Sequence, residues 1–124
     1  MRKIIETEKA PKAIGPYSQA IVCGNLVYTS GQIPINPETG NIEAKTIEEQ
    51  CEQVCKNIKE VLDAAGSGFD KVVKTTCFLK NMSDFAAFNA VYEKYFVSKP
   101  ARSCVAVAEL PKNVLVEIDT IAEV

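Results

Sequence analysis

Apolar residues recur every three or four positions in two stretches of the chain, which is the period of an amphipathic helix. In the first stretch, Thr46 and Glu49 form a capping-box pattern, and Gly66 stands where a left-handed residue ends many helices. A helix is therefore predicted between the box and the glycine. The second stretch predicts a helix over residues 84–96, with Ser83 as its N-cap.

Alternating or β-branched residues elsewhere in the chain predict strands. Gly24 and Asn25 separate two short apolar arms, a pattern typical of a hairpin turn. Residues 8–19 are predicted to form a loop that carries Tyr17, because two prolines and a glycine interrupt both periods there. In chain order, the predicted strands are 3–5, 19–23, 26–30, a short strand at Ile42, 70–80, 101–108 and 114–122.

The order of these elements predicts an α+β fold, in which a single mixed sheet carries both helices on one face. A chain of 124 residues fits one domain, 1–124. The opposite face of the sheet would remain open. It would carry enough apolar side chains that a partner chain is its natural cover.

The charge pattern gives no sign of a nucleic-acid partner. Fourteen basic and sixteen acidic residues leave a net charge of −2, and the two signs are interspersed along the chain. No apolar run is long enough for a signal peptide or for a membrane-spanning helix. We therefore expect a soluble, cytoplasmic protein that binds neither nucleic acid nor membrane.

The chain contains no histidine, so a histidine base, a histidine triad and a mixed Cys/His zinc site are all excluded. Its five cysteines are odd in number and fall in different predicted elements, which favours reduced thiols. The spacing of Cys51 and Cys55 suits either a metal pair or two small buried hydrophobes, and their apolar stripe favours the second. Cys104 lies two residues from Arg102, a cation expected to lower the pKa of the thiol, although a structural role is favoured over a nucleophilic one.

Glu117 stands in a strand of apolar and β-branched residues, where a buried carboxylate is costly unless it is paired or functional. The alternative is that its face of the strand is exposed at a sheet edge. A hairpin closed by residues 110–113 would pair residue 106 with 117, so that Arg102 and Glu117 would share one face, roughly 13 Å apart.

The Arg102 and Glu117 side chains suit two different roles, ligand binding and activation of water. Arg102 offers a planar fork of donors suited to a carboxylate or a phosphate, and Glu117 has the chemistry to hold and deprotonate a water molecule. Together they suit a small molecule with a carboxylate at one end and a hydrolysable carbon near it. The alternative is an arginine that only pairs with a surface carboxylate.

Four sequence blocks then show a resemblance to a known family. The long segment PARSCVAVAELPKNVLVEIDTIA, residues 100–122, closely resembles the C-terminal signature of the Rid family of reactive intermediate deaminases, also called the YjgF family. The segments GPYSQA (15–20), YTSGQIP (28–34) and FNAVYEKYF (88–96) resemble the other family blocks, in the same order. The likeness covers essentially the whole chain and is greatest to the RidA subgroup.

The resemblance implies a chorismate-mutase-like fold, a homotrimer and three clefts between subunits. The implied activity is the cofactor-free hydrolysis of 2-imino acids, such as 2-iminopropanoate and 2-iminobutanoate, to 2-oxo acids and ammonia. By motif position, Arg102 would bind the substrate carboxylate and Glu117 would position the attacking water. The cleft would also be lined by Tyr17, Ser30, Gly31, Asn89 and Cys104, with Gly31 and Cys104 acting through backbone groups.

Two other functions are weighed against this one. The trimer could bind 2-oxo acids, or act as a chaperone, without useful turnover. A ribonuclease or translation inhibitor, also suggested for relatives, is disfavoured because the chain lacks a basic stripe with interleaved aromatic residues.

Overall fold

The computed structural model describes residues 2–124. It contains two α-helices, α1 (Ile47–Ala64) and α2 (Phe85–Tyr95). Six strands form one sheet in the order β1-β2-β3-β6-β4-β5, and every neighbouring pair is antiparallel except β4 and β5. The strands are β1 (Arg2–Ile5), β2 (Ala20–Cys23), β3 (Leu26–Thr29), β4 (Val72–Leu79), β5 (Ala101–Ala106) and β6 (Val116–Glu123).

The first helix forms as its local sequence predicts. The Thr46 hydroxyl accepts a hydrogen bond from the backbone N–H of Glu49, and the Glu49 carboxylate accepts one from the N–H of Thr46. The capping box therefore satisfies two N–H groups that the helix leaves free. Gly66, with φ of 78°, follows the last turn in the left-handed conformation.

The second helix begins differently from its prediction. Residues 82–84 form a 3₁₀ turn that leads directly into α2, and the N-cap is Asp84, which makes no side-chain capping bond. The prediction of Ser83 as N-cap is wrong because this residue lies inside the turn, where its hydroxyl does not precede the first free N–H groups. The predicted bounds of the helix differ from those of α2 by one residue at each end.

The predicted hairpin between the last two strands is also wrong. β5 pairs with β4 in parallel, and α2 supplies the crossover that parallel neighbours require. The chain then passes over the end of β4, where Val107 N–H bonds to Leu79 O and Lys80 N–H to Leu115 O. As a result β6 enters the sheet between β3 and β4, and β4 separates it from β5.

The predicted strand at Ile42 does not form. Residues 42–45 have no regular secondary structure and no strand partner, because β3 and β4 already flank β6 and the edges of the sheet are β1 and β5. Between β3 and α1 the structure forms one isolated bridge, which joins Gln32 to Ile118. The remaining predicted strands are confirmed within a few residues at their ends.

Both helices pack on one face of the sheet, as predicted. The central strand β6 shows the division most clearly, since Val116, Ile118, Thr120 and Ala122 are all buried and the residues between them are only half-buried. The core of this face also includes the apolar stripe of α1, with Cys51 and Cys55 among its buried residues. Neither helix of residues 2–124 has the combined length and apolar character needed to cross a membrane.

The other face of the sheet has no helix over it. Strand register places seven large apolar side chains on this open face, and Ile4 (62% exposed), Val105 (46%) and Tyr28 (43%) are well exposed to solvent. The prediction of an open apolar face is therefore confirmed. The seven side chains are Ile4, Ile21, Leu26, Tyr28, Phe78, Val105 and Ile121.

Candidate functional site

Arg102 and Glu117 lie on opposite faces of the sheet. Arg102 is paired with the buried Thr75, so its side chain is directed to the helix-covered face. Glu117 stands between the buried residues Val116 and Ile118, so its side chain is directed to the open face. The prediction that both project from one face is wrong, because it rested on a β5–β6 hairpin that the chain does not form.

Three side chains of α2 hold the Arg102 guanidinium. Its Nη1 donates a hydrogen bond of 2.7 Å to Asn89 Oδ1, and its central carbon lies 4.7 Å from the centre of the Tyr92 ring and 5.4 Å from that of Phe85. The aromatic faces attract the cation and restrict its plane. One nitrogen of the fork is engaged by Asn89, and the remaining donors suit a ligand carboxylate or phosphate.

An open depression of about 740 Å³ lies beside this guanidinium. Its wall combines polar and aromatic groups from the end of α2 and the start of β5, including Asn89, Tyr92, Phe96 and Pro100. The resemblance predicted that Asn89 lines a cleft with Arg102, and the structure brings these two together. Tyr92 and Phe85 are two of the recurring apolar residues that predict the second helix, and their contact with Arg102 was not predicted.

Cys104 lies two residues beyond Arg102 on the same face, where it is half-buried against the core. Burial raises the pKa of the Cys104 thiol, and this effect outweighs the lowering by the Arg102 cation. The prediction of a lowered pKa is therefore wrong. The thiol stays protonated at neutral pH, which is the inert form of cysteine.

The three buried cysteines, Cys51, Cys55 and Cys77, behave as small hydrophobes, whereas Cys23 is exposed. A hydrogen bond with Cys51, together with burial, raises the pKa of the Cys55 thiol well above its usual value. Burial likewise raises the pKa of Cys77 to about 12. Within residues 2–124, no three His, Cys, Asp or Glu side chains are arranged to hold a metal ion.

Glu117 lines a second depression, of about 590 Å³, on the opposite side of the sheet from Arg102. Tyr17, Ser30 and Gly31 line the same depression, so the structure brings four of the predicted site residues together. Burial raises the pKa of the Glu117 carboxyl, and the nearby Asp119 carboxylate raises it further. A carboxylate with a raised pKa is a stronger proton acceptor than one in water.

Gly31 allows the Glu117 carboxylate to approach the backbone. A Cβ atom at this position would lie 2.1 Å from Glu117 Oε2 and 2.8 Å from its carboxyl carbon, which no real side chain tolerates. The backbone of Gly31 has an ordinary φ, so the reason for a glycine here is space and not conformation. Any side chain would displace the carboxylate.

Ser30 and Tyr17 have different surroundings. The Ser30 hydroxyl donates to Ser18 O and its backbone N–H donates to Gln19 O, so the hydroxyl is already engaged within the chain. Tyr17 is 53% exposed at the rim of the depression. We therefore expect Ser30 to shape the wall of the Glu117 depression and Tyr17 to offer its side chain for contact with a ligand.

Residues that sequence reasoning did not single out complete this second depression. They include two lysines, Lys12 and Lys112, and two buried glutamines, Gln19 and Gln32. Gln19 stands inside the motif GPYSQA, which was the available signal for it. Lys112 gave no local signal because its position at the rim depends on the passage of the chain over β4.

Comparison with known proteins places this chain in a family. The family model described as Endoribonuclease L-PSP matches residues 7–124. A protein of Escherichia coli named 2-iminobutanoate/2-iminopropanoate deaminase is 50% identical over 98% of each chain, and a RutC family protein of Pyrococcus horikoshii is 54% identical over 98% of each chain.

Solved structures agree with the sequence matches. The Rid family protein YyfA of Yersinia pestis is 52% identical, covers 100% of each chain and superposes with a TM-score of 0.97. The structure of Escherichia coli TdcF with bound serine is 45% identical, covers 98% of each chain and has a TM-score of 0.93. The fold, the sequence blocks and these matches agree, and the chain belongs to the Rid family, the family of the Endoribonuclease L-PSP model.

Proposed function

We propose that this chain hydrolyses 2-imino acids, such as 2-iminopropanoate and 2-iminobutanoate, to 2-oxo acids and ammonia. The observation that carries the proposal is the pair of groups at the two depressions: a guanidinium with free donors and a carboxylate with a raised pKa. A 50% identical relative named as a deaminase of these two imino acids supports the same reaction. The bound serine of TdcF supports an amino-acid-sized ligand.

The reaction needs few groups, because an imine carbon is already electrophilic. Arg102 holds the substrate carboxylate through two parallel hydrogen bonds. Glu117 accepts a proton from a water molecule as the water oxygen bonds to the imine carbon, and that proton passes to the nitrogen. The hydroxyl oxygen of the resulting 2-amino-2-hydroxy acid then forms the carbonyl as the carbon–nitrogen bond breaks, and the hydroxyl proton passes to the departing nitrogen, which releases ammonia and leaves the 2-oxo acid. This inventory requires no cofactor.

The two groups of one chain do not reach the same small molecule. Arg102 stands opposite Thr75 and Glu117 opposite Phe78, with β4 between them. Two strand spacings and three residues along the strand separate their Cα atoms by about 14 Å, on opposite faces of the sheet. We therefore infer that each site combines Arg102 of one subunit with Glu117 of a neighbour, in the homotrimer that the resemblance implies.

The open apolar face supports this assembly. Large exposed apolar surfaces on a domain mark interaction sites, and seven large apolar side chains share this face. Because Glu117 projects from the same face, a subunit that covers it also approaches the Glu117 depression. Association and completion of the site are then one event.

A binding-only trimer and a ribonuclease are the competing functions. The ribonuclease has the description of the family model, Endoribonuclease L-PSP, in its favour. Among the described residues, however, only a few cationic side chains line each depression. A trimer that only binds 2-oxo acids would keep the Arg102 contacts and lack the rate effect. An RNA ligand would bind with a strong dependence on salt concentration.

The first prediction concerns Arg102. Arg102→Ala is expected to lower kcat/KM for imine hydrolysis by about a hundredfold, because two charged hydrogen bonds to the substrate carboxylate are lost. The assay follows decay of the imine absorbance when a pyridoxal-phosphate dehydratase acts on serine or threonine. Arg102→Lys, which keeps the charge but not the fork, is expected to fall between the parent and Arg102→Ala.

The outcome of this assay separates the competing functions. If the parent binds 2-oxobutanoate in calorimetry but leaves the imine decay unchanged, the chain is a binding protein. If Arg102→Ala is as fast as the parent, the proposed clamp is wrong.

The second prediction concerns the composite site. Arg102→Ala and Glu117→Gln subunits, each inactive alone, are mixed, unfolded and refolded together. In a ring of identical contacts about a quarter of the sites then contain one intact Arg102 and one intact Glu117, so about a quarter of parental activity is expected. Activity no greater than that of the two separate variants would show that one chain supplies both groups.

The third prediction concerns pH. Glu117 must be ionised to accept a proton, so kcat/KM is expected to fall as the pH decreases through its pKa, which burial and Asp119 place above the usual 4.5. Asp119→Asn removes one of these causes, and the midpoint of the acid limb is expected to move to lower pH. Because both proteins are assayed on the same imine, titration of the substrate cancels in the comparison. A midpoint that stays in place would contradict the role of Glu117 as base.

The fourth prediction concerns Gly31. Gly31→Ala is expected to lower kcat at least tenfold with little change in the melting temperature, because the added methyl displaces only the flexible end of the Glu117 side chain. Gly68→Ala, at a position with ordinary φ remote from both depressions, serves as the control and is expected to keep parental kcat. Parental activity of Gly31→Ala would mean that the carboxylate position does not matter.

A further inference from the structure

A buried amide, that of Gln19, lies where the loop of residues 7–12 meets β2. Its side chain is 4% exposed and uses both ends. The Oε1 atom accepts the N–H of Thr7 at 2.7 Å. The Nε2 group donates to three carbonyl oxygens, at 3.0 Å to Thr7, 2.8 Å to Pro11 and 3.4 Å to Ala10.

These bonds are the main attachment of the loop. Residues 7–12 have no regular secondary structure, and within residues 2–124 every hydrogen bond that joins them to the rest of the chain ends on the Gln19 side chain. The one other bond in the loop joins Lys9 to Thr7. The side-chain amide of Gln19 therefore attaches this loop to the sheet, as the hydrogen bonds of a strand pair would otherwise have done.

The backbone of the same residue reaches the Glu117 depression from the other side. The carbonyl oxygen of Gln19 accepts the N–H of Ser30, the residue before Gly31. Lys12, Tyr17 and Gln19 line both this depression and a neighbouring one of about 460 Å³. The loop is thus the wall between two depressions, and Gln19 joins that wall to the segment facing the Glu117 carboxylate.

We propose that Gln19 is a positioning residue for imine hydrolysis, which fixes the loop 7–12 wall and Tyr17 against the Glu117 carboxylate. The inference rests on the proposed function, since it assigns the wall to the substrate cleft. Without the amide, the loop keeps the buried Ala10 contact but loses its hydrogen bonds to the sheet. The wall then moves, and the cleft no longer holds the substrate in one orientation relative to the water.

The test compares two substitutions of nearly equal size. Gln19→Met keeps the volume of the side chain and removes all four hydrogen bonds. Gln50→Met is the matched control, because Gln50 is also buried and also joins separate segments, through Ala44 O and the N–H of Leu115, but it lines neither depression. Both variants are expected to lose thermal stability to a similar degree.

Two measurements follow the loop and the reaction separately. Limited digestion with trypsin reports on the loop through the bonds after Lys9 and Lys12, and Gln19→Met is expected to be cut there about tenfold faster than Gln50→Met. In the imine assay Gln19→Met is expected to lose about tenfold in kcat/KM, mostly through a raised KM, while Gln50→Met keeps parental values.

Each result of these measurements either supports or overturns the positioning role of Gln19. Equal cleavage of the two variants after Lys9 and Lys12, or faster cleavage of Gln19→Met with unchanged kcat/KM, overturns the positioning role. If the parent itself fails to hydrolyse imines, the proposed function is wrong, and the inference is then decided by binding of 2-oxobutanoate in calorimetry. Weaker binding by Gln19→Met than by Gln50→Met would support the role of the amide in shaping the cleft, and equal binding would overturn it.

Discussion

The alternation of side chains across a β-sheet is the constraint on which the site depends. Successive residues of a strand face opposite sides, so the partner of a strand decides which of its residues share a face with a given neighbour. β6 lies between β3 and β4, and the register Phe78–Glu117 and Thr75–Arg102 sends the carboxylate to the open face and the guanidinium to the helix-covered face. One chain therefore presents the two groups on separate faces, and the site that we propose has its halves on two subunits.

Each half is prepared by its own surroundings. On the helix-covered face, one amide and two aromatic rings of α2 hold the Arg102 guanidinium in place. Its remaining N–H donors are thereby held in a fixed orientation for a ligand. On the open face, a glycine makes room for the carboxylate and burial raises its pKa. In the homotrimer that we propose, association through the apolar open face would bring the Arg102 of one subunit to the Glu117 of another. Assembly and chemistry would then depend on the same contact.

Local signals predicted the parts of the fold that local contacts determine. The capping box of Thr46 and Glu49 and the glycine at 66 fixed the ends of α1, because every group involved lies within a turn of its partner. The hairpin at Gly24 was equally local. The position of β6 in the sheet was not determined by local contacts. It depends on α2, which places β5 on the far side of β4, and on the return of the chain over the end of β4. The predicted strand at Ile42 failed for the same reason, since β-propensity does not supply a partner.

The sequence supplied the candidate residues of the site but not their arrangement in the fold. Arg102 and Glu117 were identified from their chemistry, whereas Tyr17, Ser30, Gly31 and Asn89 came from the resemblance alone. The pKa of Cys104 was predicted in the wrong direction because burial, which the sequence does not report, exceeds the effect of the nearby cation. Gln19 was overlooked because a glutamine in a loop motif gives no sign that it is buried and bonded to three carbonyls.

A crystal structure of the chain with bound 2-oxobutanoate would decide whether the site lies between two subunits, because it shows assembly, carboxylate contact and carbonyl position together. We expect a trimer in which the ligand carboxylate lies within hydrogen-bond distance of the Arg102 guanidinium of one subunit. The ligand's C2 carbon is then expected to face the partner subunit's Glu117. A ligand held by Arg102 and Glu117 of the same chain, or one that contacts neither residue, would show that the composite site is wrong.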